Sequence, residues 1–105
     1  MLELLLALAL QFHGISDHYD YAACIVTYES AWQVDAVGAA GELGLAQIKP
    51  ATGRWWADQM GWSDAWDPAE QLLDPSTNLY VLSYGLSKGY DSHWTTARLC
   101  EGADR

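Results

Sequence analysis

The chain has 105 residues, half of them apolar and 18% charged, which permits one packed domain, leaves no room for a second and argues against disorder. Fourteen acidic against five basic residues give a formal charge of −9, which argues strongly against nucleic acid or an anionic membrane surface as partner, because both require a basic face. Six Trp and six Tyr exceed the needs of one small core, so some of these rings are expected to line a groove.

The apolar opening from Met1 to Leu10 is too short to cross a bilayer. It is similar to the apolar stretch of a signal peptide, but it lacks a basic start and carries Glu3 where Lys or Arg would stand. It reads better as a first amphipathic helix from Leu2 to Phe12, closed at His13-Gly14. Ser16 or Asp17 is the expected N-cap of a second helix running to about Trp32. Gly38, Gly41 and Gly44 mark a compact loop or short hairpin between Asp35 and Gly44. Helix is expected again from Gln47 to Met60, with Pro50 in its first turn. Asp74-Pro75 predicts an N-cap followed by proline at N1, opening a helix that lasts to about Lys88-Gly89. A last helix, capped by Ser92, reaches Glu101. With almost no alternating pattern, the expectation is one mainly α domain over residues 1–105.

Glu29 is the residue whose setting suggests chemistry. On a continuous helix its neighbours at i−4, i−3 and i+3 are Ile25, Val26 and Trp32, an apolar and aromatic face. Desolvation there would favour the neutral carboxyl that a general acid needs. An ordinary glutamate at a solvent border fits the periodicity equally well. His13, His18 and His93 are scattered and fit no metal-ligand pattern, and Cys24 and Cys100 show no CxxC spacing, so no metal site is expected.

Glu29-Ser30-Ala31-Trp32, Asp35-Ala36-Val37 and the run from Ala40 through Gly44-Leu45-Ala46-Gln47-Ile48-Lys49-Pro50 to Thr52 resemble the soluble lytic transglycosylases. That family reads E-S, a spacer, N-A-V-S-x-x-G-A-x-G-L-M-Q-[LI]-M-P-x-T. Leu73-Asp74-Pro75 and Asn78-Leu79 are similar to its D-P-x-x-N-[IL] segment, so the likeness extends over residues 15–105. It implies a lysozyme-like fold with Glu29 as single catalytic acid and base, and Gln47 as a groove residue that hydrogen-bonds substrate. By the same likeness Gly44 lets backbone pass close to the sugar, and Ser30 braces the helix end. Asp35 and Glu42 are the alternative carboxylates. The chain departs from the family at Gly38, where serine is usual, at Lys49, where methionine is usual, and near Arg98–Ala103, where the Tyr and Asn of A-Y-N-A-G are missing.

Cys24, five residues before Glu29, and Cys100, six after Trp94, are similar in placement to the cysteines of secreted resuscitation-factor-like proteins. That likeness implies a Cys24–Cys100 disulfide and an oxidising compartment; two buried thiols are the alternative. Among the aromatics, Trp62 and Trp66 are expected as exposed sugar platforms, Trp32 at the groove beside Glu29, and Tyr84 as either a groove hydroxyl or a core ring. The resemblance implies cleavage of the MurNAc–GlcNAc β-1,4 bond of peptidoglycan with closure of a 1,6-anhydro ring and no metal or organic cofactor, by a monomer acting outside the cytoplasm, in a periplasm or cell wall or as part of a phage. A muramidase using Asp35 to position water, and a wall-binding module without turnover, are the rival readings.

Overall fold

The structure is a computed structural model that describes residues 1–103. Its central element is α5 (Pro75–Ser87), with α1 (Leu2–Phe12) packed along it, α2 (Tyr19–Ser30) against α1, and α3 (Pro50–Gln59) on another side of α5. A one-turn helix α4 (Pro68–Gln71) joins α3 to α5, and 3-10 turns occupy Ser16–His18, Asp91–His93 and Thr95–Cys100.

α5 is central because its residues from Asn78 to Leu86 are all buried save Tyr80. Its start follows the sequence signal: Asp74 accepts the Thr77 N–H at 2.9 Å and Pro75 occupies N1, where a missing N–H costs nothing. α1 buries Leu6, Ala9 and Leu10 on one face. Its end is pinned where Ser83 Oγ donates to Ala9 O at 3.1 Å and meets His13 Nδ1. Gly85 is required by packing, since a Cβ there would stand 2.6 Å from the Trp56 ring of α3.

Several boundaries differ from the sequence reading, each for a local reason. α2 begins at Tyr19 after a 3-10 turn, with neither Ser16 nor Asp17 capping it. It stops at Ser30 instead of Trp32 because Ala31 and Trp32 take left-handed backbone, with φ of 51° and 65°. Gln47 is also left-handed (φ 51°), so α3 starts only at Pro50. The last segment, Thr95–Cys100, is 3-10 and has no side-chain cap, so Ser92 does not serve as one. α4 was not anticipated, although Asp67-Pro68 repeats the Asp-Pro signal and Asp67 accepts the Ala69 N–H at 3.0 Å.

Candidate active site

Glu29 sits in the last turn of α2, half-buried, with Ile25 and Val26 of the same helix fully buried beside it. Its Oε2 accepts a hydrogen bond from Thr96 Oγ1 at 2.5 Å. Cys24, one turn and a residue earlier on α2, is disulfide-bonded to Cys100 with Cα atoms 5.8 Å apart, inside the span such a bond needs. The bond and the Thr96 contact together lay the Thr95–Cys100 turn along the Glu29 end of α2. Because α2 ends early, Trp32 does not occupy the i+3 position beside Glu29. Its indole turns back to donate to Thr27 Oγ1 at 3.0 Å. Ser30 braces this end, donating to Val26 O at 3.3 Å and accepting from Trp32 N at 3.1 Å.

The glycine-rich segment is a short hairpin-like loop with single bridges Val37–Leu43 and Leu43–Ile48. Asn78, buried on α5, clamps it: Oδ1 accepts from Ala46 N at 2.9 Å, and Nδ2 donates to Leu43 O and Leu72 O at 3.0 and 2.8 Å. Gly44 (φ +76°) is glycine because a Cβ there would collide with Asn78 Nδ2 and Leu72 O, so its need lies inside the clamp. Trp94 adds a further tie from Nε1 to Ala46 O at 2.6 Å.

Gln47 lies on this loop and is buried, with only 8% of its surface exposed. Its Nε2 donates to Ala36 O and Gly44 O at 3.1 and 3.0 Å, so the amide nitrogen is committed to the loop, and its Oε1 lies over Gly38. Glu42 accepts the Ala40 N–H at 2.9 Å. Its carboxyl is held below the ordinary value, first by backbone N–H groups and less by Lys49 and His93. His93 is pushed down by burial, partly offset by a bond to the Gln47 backbone. Gly38, Glu42, Gln47 and His93 therefore share one corner. Asp35 is exposed.

Some expected groove residues lie elsewhere. Tyr84 is buried, with its hydroxyl donating to Gln59 Oε1 at 2.7 Å, so it is a core ring. Trp62 and Trp66 are not exposed platforms: they are half-buried against the core and pack edge to face on each other, and Arg54 covers Trp66. The exposed indole is Trp55, 55% accessible and stacked on Tyr90. Thr96, Asn78 and His93 were missed as site residues; Asn78 stood inside a quoted motif, whereas no sequence signal marks Thr96. Among the described residues no group of three His, Cys, Asp or Glu side chains could hold a metal, and no helix is long and apolar enough to cross a membrane.

The family model for the transglycosylase SLT domain matches residues 15–98. The chain belongs to this family. Among solved structures, it is similar to an inactive glutamate-to-glutamine mutant of the lytic transglycosylase Slt from Pseudomonas aeruginosa, with 25% identity and a TM-score of 0.70. The match covers 83% of this chain and 14% of that one, so this SLT domain corresponds to a small part of the larger enzyme. No curated protein matches the chain. The mainly α architecture is that of the SLT fold, and α1 lies outside the matched residues of this SLT domain.

Proposed function

We propose that this SLT domain cleaves the MurNAc–GlcNAc β-1,4 bond of peptidoglycan with Glu29 as the only acid and base, forming a 1,6-anhydro product. The setting of Glu29 carries this reading: a half-buried carboxyl at a helix end, oriented by the Thr96 hydroxyl and free of any ion pair among the described residues. With Oε2 held by Thr96, Oε1 presents the proton to the glycosidic oxygen. That oxygen leaves as the GlcNAc 4-hydroxyl while an oxocarbenium-like centre develops at MurNAc C1. The carboxylate then takes the proton of the MurNAc C6 hydroxyl, whose oxygen closes on C1. The substrate supplies the nucleophile, so a second carboxylate is unnecessary, in keeping with the exposed position of Asp35. The inactive glutamate-to-glutamine mutant of the similar Slt enzyme supports a single indispensable glutamate. The Cys24–Cys100 bond supports action outside the cytoplasm.

Glu29→Gln tests this directly. The amide is nearly isosteric but cannot donate the proton, so wall clearing should fall by several orders of magnitude with the melting temperature almost unchanged. Product masses decide the chemistry, because the anhydro product lacks one water. Hydrated ends would indicate a muramidase, and a folded Glu29→Gln chain that clears wall at the parent rate would remove Glu29 from the mechanism.

A further inference from the structure

We propose that the open groove between α3 and the 89–93 turn is a binding position for one neutral hexosamine of the glycan strand, with Trp55 as its platform. This rests on the peptidoglycan reading above and adds a contact for the strand besides the Glu29 and Thr96 pair. Successive helix positions point about 100° apart, so the adjacent indoles of Trp55 and Trp56 cannot face the same way. Trp56 turns inward on Gly85 and is buried, which leaves Trp55 outward as the only exposed tryptophan among the described residues. Its ring lies nearly parallel to that of Tyr90, at 20° with 5.5 Å between centroids, so the platform is oriented before any ligand arrives.

The groove that these rings line has a volume of about 330 Å³, at the small end of ligand sites and room for one sugar ring. Thr52, Ser92 and His93 complete its walls. The Thr52 and Ser92 hydroxyls make no hydrogen bond to the described residues, so each keeps a donor and its lone pairs for a sugar hydroxyl or an acetamido group. No lining residue carries a fixed charge, and burial favours the neutral form of His93. Aromatic faces that meet sugar C–H groups, flanked by uncharged hydroxyls, suit a neutral pyranose and not the charged stem peptide. His93 also bonds the Gln47 backbone, so the groove abuts the loop wall of the site.

The test uses the Glu29→Gln chain, which binds without turnover, and uncharged GlcNAc oligomers titrated by calorimetry. Adding Trp55→Ala should weaken binding about tenfold, the scale of uncovering one indole face, and Trp55→Phe should recover most of that loss. Adding Ser92→Ala removes an exposed hydroxyl with no partner in the fold. Binding should then weaken about threefold, the scale of one neutral hydrogen bond, at an unchanged melting temperature. Unchanged affinity in a folded Trp55→Ala chain overturns the groove, as does a Trp55→Phe chain as weak as Trp55→Ala. Where Trp55→Ala lowers the melting temperature by freeing Tyr90, Ser92→Ala decides, and unchanged affinity there overturns the proposal. A loss confined to peptide-bearing muropeptides also overturns it, since the occupant would then be the stem peptide. If the Glu29→Gln chain binds no GlcNAc oligomer although the parent clears wall, the groove falls alone. If the parent clears no wall either, the peptidoglycan reading falls with it.

Discussion

Two walls of the domain, one carrying Glu29 and the other carrying Gln47, are held by different physics. One, α2 with the Thr95–Cys100 turn, is closed by a covalent bond between residues 76 apart, supplemented by the Thr96–Glu29 contact. The other, the loop from Ala36 to Ile48, has no covalent tie; Asn78 and Trp94 hold it by satisfying buried backbone groups. A crosslink acts mainly by restricting the unfolded chain, whereas a polar clamp acts only in the native state and leaves orphaned groups when it is lost. The first wall is therefore a stability device, and the second fixes the conformation of the loop that carries Gln47 and Glu42. Among the described residues, those with left-handed, non-glycine backbone are Ala31, Trp32 and Gln47, at the end of α2 and on the loop, so local strain is concentrated in these two segments.

The largest stability effect should come from cutting the first wall. Replacing Cys24 and Cys100 together by Ser removes a crosslink that the chain-entropy model values at about 4 kcal/mol, a large share of the ~5–15 kcal/mol total of a small domain. Denaturant unfolding measures this. If the comparison holds, specific activity well below the new melting temperature stays within a few-fold of the parent, because the Thr96–Glu29 contact and the clamp remain.

Cutting the second wall should do the reverse in proportion. Asn78→Ala leaves Ala46 N, Leu43 O and Leu72 O without their partner, for about 3 kcal/mol, since such losses add incompletely. Because the loop carries Gln47, turnover should fall by more than in the cysteine double variant even where both are fully folded. Equal activity in the two would erase the distinction between the walls. Trp94→Phe removes the Ala46 O bond and part of a buried ring that packs on Trp56 and His93, and should cost about 2 kcal/mol, with a smaller loss of turnover than Asn78→Ala.

How far the sequence carried the reading differs between the walls in the same way. Helix α5 was legible to its first residue because Asp74-Pro75 is a local signal with a local cause, and Glu29 and the G-L-x-Q segment were legible as a motif. The end of α2 was not: the apolar spacing of Ile25, Val26 and Trp32 suits a continuing helix, and only tertiary packing turns Ala31 and Trp32 left-handed. Thr96 was invisible because a threonine becomes a carboxyl partner only when chain 67 residues away is brought beside it. Trp62 and Trp66 were misplaced because an acidic turn between them reads as exposed, while Arg54, bonding Trp66 O at 2.7 Å and stacking over its ring, draws that turn onto the core.

The smallest expected effect concerns acid, and it separates the α1 clasp and the site corner from the carboxylates. Burial lowers the His13 imidazole below its ordinary 6.5, its bond to Ala9 O only partly offsetting this, and burial lowers His93 in the same direction. The unfolded chain then takes up these protons first, so stability is full above pH 6.5 and declines as the pH falls from 6.5 toward the folded values, levelling once both forms are protonated. Glu42 acts in a different window: its carboxyl is lowered from 4.5, so its contribution is full above that pH and is lost only as the pH falls through the folded value. Melting curves between pH 7.5 and 5 should therefore show a decline of roughly a few degrees that the His13→Gln, His93→Gln double variant lacks. A Glu42→Gln chain should keep that decline, and one that lost it would show that the carboxylate, not the two half-buried imidazoles, sets the acid edge.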